Sequence, residues 1–279
     1  MGVVYLATAQ FAADVLAGLA RGRWRPDLVV TRPDARRGRG RTLAPPPVAV
    51  TAAELGIPVI QPEQVNDDTV AAQIDATAGP NGRRVLCAFG ALIAEPLISG
   101  PPIYNVHPSL LPRWRGAAPI ERAIEAGDSE TGVSIMRLVP ELDAGPVYAQ
   151  QAVAIEPGET FGSIVPRLVA ASVELLESTL AQPPEPVPQP ETGVTYAEKI
   201  GAADRTIDPA DAVASERTVR ALHPHIGARI ELPGGEHMGI EQARIGAGGR
   251  FEPLVVKPAG GRAMTYEEYV RGHGPLPLG

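Results

Sequence analysis

The sequence predicts an α/β protein: a Rossmann-like, parallel, doubly wound sheet in a large first domain, followed by a small second unit. Apolar runs of strand length alternate with helical patterns from residue 3 to residue 90, the spacing of successive βαβ units. At 279 residues the chain exceeds one ordinary domain and suits one large and one small, each with its own core. Half of the stretch QPPEPVPQPE, residues 182–191, is proline, which excludes a helix and predicts a stiff, extended linker. The expected division is a domain over 1–181, a linker over 182–192 and a second domain over 193–279.

Each element follows in order. VVYLA (3–7) is a short apolar strand, FAADVLAGLARG (11–22) has helical periodicity, and DLVVT (27–31) is again a strand. The stretch RPDARRGRGRTLAPPP (32–47) holds too much glycine and proline for a regular element. PVAVTAAELG (47–56) reads as helix, IPVIQP (57–62) as extended, DDTVAAQIDATAG (67–79) as helix with an acidic first turn, and RRVLCAFG (83–90) as a buried strand. Two β runs, TGVSIMRLV and GPVYAQQAVAI, flank the turn PELDAGP, and SIVPRLVAASVELLESTLA is a long helix closing the domain. Past the linker, ARIEL and PLVVKP are β-like and TYEEYV is helical. In such a sheet ligands sit at the carboxyl ends of the strands. The first turn, ATAQFA, carries no GxGxxG, which disfavours a dinucleotide site and a nicotinamide dehydrogenase.

A formal charge of −7 argues against a broad nucleic-acid surface. Its distribution changes that reading. Eight arginines stand against Asp27 and Asp34 between residues 21 and 41, so an acidic chain has gathered positive charge in one loop. Since only Lys199 and Lys257 are lysines among 25 basic residues, a solvated loop in an arginine-rich protein is one reading. The other is an anion-binding loop, suited to a phosphate backbone. The single cysteine, Cys87, excludes an internal disulfide, lies in the apolar run RVLCAFG, and is expected to be a buried strand residue. No ligand spacing for zinc is present. No apolar run is long enough to span a bilayer and the N-terminus has no basic leader, so no membrane association and a cytoplasmic location are expected. A monomer is the expected oligomeric state.

The stretch NVHPSLLPRWRGAAPI (105–120), followed by DSETGVSIM and LDAGPVY, resembles the 10-formyltetrahydrofolate-dependent formyltransferases. Asn-x-His with a later Leu-Asp-x-Gly marks the superfamily. SLLPRWRGAAPI and the GRGR loop are most similar to the methionyl-tRNA formyltransferases within it. RPDARRGRGRTLAPPPV, GIPVIQPE, GVTYAEKI and MTYEEYVRG fall in that family's order, so the likeness covers nearly the whole chain. The resemblance implies 10-formyltetrahydrofolate as formyl donor, without a metal, and initiator methionyl-tRNA as partner. It also implies a C-terminal β-domain of the OB type, here shortened between EQARIG and PLVVKP.

The implied reaction accounts for the residues. An amine attacking a formyl amide builds negative charge on the formyl oxygen and positive charge on its own nitrogen. Asn105 and His107, two apart at a strand end, point to the same side. Asn105 is the expected oxyanion donor, His107 shares that oxygen or passes a proton, and Asp143 orients His107 and accepts the amine proton through water. By resemblance Ser109, Leu110, Leu111 and Pro112 border the folate, where an apolar wall with a few backbone hydrogen bonds suits a flat ligand. Arg36, Arg37, Arg39 and Arg41 in the basic loop, and Arg113 and Arg115 behind the folate loop, are the expected tRNA contacts. His223, His225, His237 and His273 lack a motif and read as solvent or packing residues.

Two departures bear on this. The family's Gly-Thr-Pro turn is replaced by Ala7, Thr8 and Ala9. From residue 206 on, eight basic residues face nine acidic ones, so the second domain lacks the net positive groove usual in RNA-binding OB folds. Two alternatives therefore stay open: a formyltransferase for a small amine such as an aminosugar nucleotide, and a non-catalytic folate- or tRNA-binding relative.

Overall fold

The computed structural model describes residues 1–37 and 42–278. In chain order the elements are β1 (Val3–Ala7), α1 (Gln10–Leu19), β2 (Leu28–Val30), β3 (Ala35–Arg37), β4 (Thr42–Ala44), α2 (Pro47–Glu54), β5 (Val59–Ile60), α3 (Asp68–Ala78), β6 (Arg83–Cys87) and β7 (Ile103–His107). They continue with β8 (Arg115–Gly116), α4 (Pro119–Ala126), β9 (Glu130–Arg137), β10 (Val147–Ala154), α5 (Phe161–Ala181), β11 (Tyr196–Ala197), α6 (Ala212–Leu222), β12 (Ala228–Glu231), β13 (His237–Ile245), β14 (Phe251–Pro258), β15 (Met264–Thr265) and α7 (Tyr266–His273).

The main sheet has seven strands in the order β10-β9-β7-β6-β1-β2-β5. β5, β2, β1, β6 and β7 pair in parallel. Their order reverses between β1 and β6, the switch point at which doubly wound sheets bind ligands. The parallel arrangement stops at β7, because β9 enters antiparallel, with Asn105 opposite Met136 and His107 opposite Ser134. Central strands β1, β2 and β7 are buried along their whole length, as expected where both sheet faces are covered. One core cluster joins Val4, Leu6, Val30, Ile74, Leu86 and Ile103, and each such side chain contributes roughly 1.5–3 kcal/mol on burial.

The segment 32–47 departs from the sequence reading. β3 and β4 form an antiparallel pair with Arg36 opposite Leu43 and Arg37 opposite Thr42. Gly38 and Gly40 fall between the two arms and neither strand contains a glycine, so both can pair despite the composition of the whole stretch. Arg39 and Arg41 lie outside the described residues.

The chain forms two compact units: 1–115, 132–153 and 167–195 in one, and 116–131, 154–166 and 196–279 in the other. The second thus takes in two segments that the sequence reading assigns to the first domain. Its sheet has four antiparallel strands in sequential order, β12-β13-β14-β15, one fewer than an OB barrel. α6 covers this sheet; the Asp211 carboxylate accepts from the Ala214 N–H at 3.0 Å to cap it. Sequence reading misses α6 because its buried face includes the small or polar Ala212, Ser215 and Ala221, a weak apolar stripe. β13 escapes because a register shift between Ile240 and Ala243 interrupts its alternation. α4 packs against α6 at Gly127, whose φ of 74° suits glycine; a Cβ there would meet the Arg217 guanidinium.

Cys87 ends β6 fully buried, and burial pushes its thiol up to about 12. Since the thiolate is the reacting form, the native protein should not react with a thiol-specific disulfide reagent at pH 8 and should react fully once unfolded. Rapid labelling of the native protein would contradict the buried placement.

Candidate functional site

The carboxyl end of β7 carries the chemistry. Asn105 and His107 are both buried, at 7% and 5% exposure, and occupy one side of the strand. Asp143 lies on the β9–β10 turn with φ of 45°. Both strand residues converge on it: Asn105 Nδ2 donates to Asp143 Oδ1 at 3.5 Å, and His107 Nδ1 stands 3.6 Å from Asp143 Oδ2. These separations lie at the outer limit of hydrogen-bonding distance. The structure therefore brings together the three residues read as catalytic.

The other edge of His107 is held more tightly. Nε2 is 2.8 Å from the Trp114 carbonyl oxygen. A carbonyl can only accept, so Nε2 carries a proton and Nδ1 is the nitrogen turned to Asp143. Trp114 has φ of 65°, a left-handed conformation costing about 1–3 kcal/mol in a non-glycine residue. It is held from both sides, since the Trp114 N–H donates to Thr195 Oγ1 at 2.9 Å.

Residues 109–112 form a loop bonded inward. The fully buried Ser109 donates its hydroxyl to the Arg113 carbonyl at 2.7 Å. Ser134 Oγ, buried on β9, donates to the Ser109 carbonyl at 2.6 Å and accepts from the Leu111 N–H at 3.1 Å. Gln150 Nε2 donates to the Leu111 carbonyl and to Ser134 Oγ, each at 2.9 Å. Leu110 and Pro112 are half-buried and the Leu111–Pro112 peptide is cis. Ser134, Gln150 and Thr195 were not legible as site residues, because no local motif surrounds them and their partners are distant in sequence.

The basic residues fall into different settings. Arg113 stacks its guanidinium 4.3 Å over the Trp114 ring. Arg115 donates Nε–H and Nη2–H to Gln189 Oε1 at 3.0 and 2.7 Å. Arg36 is exposed on β3 and Arg37 ends that strand. Of the remaining histidines, His225 stacks on Phe161 at 3.7 Å and faces the Glu121 carboxylate at 3.0 Å, a packing role.

A cavity of about 770 Å³ opens at the switch point, lined by Thr8, Arg32, Asp34, Asn66, Phe89 and Gly90 among others. It lies one strand from the catalytic side chains, since Leu86 on β6 pairs with Asn105. Thr8 donates its hydroxyl to the Phe89 carbonyl at 2.5 Å, and the Ala9 N–H reaches the Ala88 carbonyl at 3.3 Å. The second bond needs an N–H, which the family's usual proline at this turn lacks. Among the described residues no group of three His, Cys, Asp or Glu side chains could hold a metal ion, and no helix is long and apolar enough to cross a membrane.

Comparison with known proteins gives the class. The family described as Formyl transferase matches residues 1–180, and the chain belongs to it. Solved structures share the fold: the N-formyltransferase from Helicobacter canadensis, solved with folinic acid and dTDP-3-aminofucose, aligns with TM-score 0.64 and 14% identity over 88% of each chain. HypX from Aquifex aeolicus, in complex with tetrahydrofolic acid, aligns with TM-score 0.63 and 15% identity over 97% of this chain and 47% of that one. Within the class, the methionyl-tRNA formyltransferase of Halorhodospira halophila is 39% identical over 99% of this chain and 97% of its own. That of Neisseria meningitidis serogroup C (strain FAM18) is 36% identical over 98% and 97%. The chain belongs to the methionyl-tRNA formyltransferase family.

Ser134→Ala should destabilise the fold by about 1–3 kcal/mol, because the Leu111 N–H and the Ser109 carbonyl lose a partner in the interior. A denaturant midpoint unchanged from the parent protein would remove Ser134 from the support of this loop.

Proposed function

We propose that the chain transfers the formyl group of 10-formyltetrahydrofolate to the amino group of methionyl-initiator tRNA. The observation that carries the reading is the convergence of Asn105 and His107 on Asp143 at the carboxyl end of β7, in a chain 39% identical along nearly its full length to a methionyl-tRNA formyltransferase.

The amine nitrogen attacks the formyl carbon and a new C–N bond forms. Charge moves to the formyl oxygen, toward which Asn105 directs an uncharged amide donor. The bond from the formyl carbon to N10 of the folate then breaks, N10 takes a proton, and the attacking nitrogen loses one. Asp143 is the acceptor for that proton, and His107 Nδ1 faces its carboxylate. With Nε2 committed to the Trp114 carbonyl, the imidazole meets the reacting groups through its Nδ1 edge. No covalent enzyme intermediate is needed.

The assignments by segment follow the same reading. Catalysis and folate binding are assigned to the domain over 1–181 and the OB-like role to 193–279, with the linker 182–192 lying within the first compact unit. The loop Ser109–Pro112 borders the folate. Arg36, Arg37, Arg39, Arg41, Arg113 and Arg115 lie along tRNA phosphates, and the cytoplasm is the setting. An acidic protein that gathers eight arginines between residues 21 and 41 has a reason to do so if its acceptor is a polyanion; a small amine gives none.

The test runs methionyl-initiator tRNA, free methionine and an aminosugar nucleotide side by side with 10-formyltetrahydrofolate. Only the charged tRNA should be formylated, and reaction of a small amine with the tRNA untouched would overturn the assignment. Asn105→Ala should lower kcat on the order of 10²–10³-fold, the usual loss for an oxyanion donor, with folate affinity kept. Near-normal turnover would exclude Asn105 from the chemistry.

A further inference from the structure

The proline-rich segment after α5 does more than connect. We propose that residues 187–195 form a positioning strap, in which Gln189 and Thr195 set the two backbone bends that hold Asp143 and His107. The inference rests on the functional reading above for its catalytic consequence, while its structural part stands on geometry alone.

The strap is tied down at three points. Val187 and Val147 exchange both backbone hydrogen bonds at 2.8 Å, although the Val187 side chain is 66% exposed. Apolar burial of that side chain therefore does not hold it; polar pairing does. At the second point, Gln189 Nε2 donates to the carbonyls of Asp143 and Gly145, each at 2.8 Å. Its Oε1 accepts from Nε–H and Nη2–H of Arg115. The orientation of this amide is forced: a guanidinium only donates and a carbonyl only accepts, so a flipped amide would oppose like groups on both sides. At the third point Thr195 accepts the Trp114 N–H with Oγ1 and the Arg115 N–H with its carbonyl, each at 2.9 Å.

These ties meet the bends that matter. Asp143 and Trp114 are two of the three non-glycine residues with positive φ, at 45° and 65°, among the described residues. Such conformations persist only where neighbours over-determine them. Gln189 grips the carbonyl of the first, and Thr195 grips the N–H of the second, whose carbonyl faces His107 Nε2. Arg115 ties the grips together, since its guanidinium binds Gln189 and its N–H binds Thr195. Both strap residues act through the backbone groups of Asp143, Gly145 and Trp114, so both are positioning residues.

The test compares Gln189→Met, which removes both grips, with Gln189→Glu, which keeps an acceptor for Arg115 and loses the donors to Asp143 and Gly145. Both variants should lower kcat on the order of 10–100-fold with little change in the KM for 10-formyltetrahydrofolate, as a 1 Å misplacement does. Thr195→Ser, which keeps the hydroxyl, should stay near the parent and Thr195→Val should fall with the Gln189 variants. Hydrogen–deuterium exchange read at residues 138–147 should speed up in both Gln189 variants while β1 and β6 stay protected. Parent-like kcat and exchange in Gln189→Glu would overturn the strap. If the parent protein formylates no acceptor, the functional reading fails and the exchange measurement alone decides the strap: faster exchange upholds it and unchanged exchange overturns it.

Discussion

The site depends on one hydrogen bond, from His107 Nε2–H to the carbonyl of Trp114. A backbone carbonyl cannot donate, so this contact assigns the proton to one ring nitrogen and turns the other toward Asp143. If the carbonyl pointed elsewhere, the ring could rotate or change tautomer, and Asp143 would face an imidazole of undefined polarity. The bend at Trp114, itself unfavourable for a bulky residue, is thus the local cost of defining His107. Thr195 on one side and His107 on the other hold it in place.

The sheet explains why this happens at the end of β7. Five parallel strands bring their carboxyl ends to one edge, and the reversal of order between β1 and β6 leaves room there for a ligand. β9 then enters antiparallel beside β7. This places Ser134 opposite His107, where its hydroxyl can hold the 109–112 loop, and carries the chain into the turn that presents Asp143. A rigid, fully buried strand supplies the precision, and flanking turns supply the groups. Burial of Asn105 and His107 also removes competing water, which strengthens every polar contact around them.

Much of this was legible in the sequence. β1, α1, β2, α2, α3, β6, β9 and α5 appear where apolar periodicity puts them, because these elements bury apolar side chains, and β10 appears as well although only Val153 of it is buried. Asn105 and His107 could be paired by strand alternation alone, whereas Asp143 needed the family pattern, since nothing local links a turn residue to a strand 38 positions away. The supporting side chains were not legible. Gln189 sits among prolines that signal only an extended chain, and its four hydrogen bonds reach back 44 to 74 positions. Composition also misled at 32–47, where the glycine and proline content was averaged over β3 and β4, neither of which contains either residue.

The most direct test of the central claim is ¹⁵N NMR of the His107 ring in the folded protein at the pH of highest activity, assigned with a His107→Gln control. A proton on Nε2, with that nitrogen hydrogen-bonded, is the expected result. A bare Nε2 with the proton on Nδ1 would contradict it, because the Trp114 carbonyl would then have no donor to hold the ring.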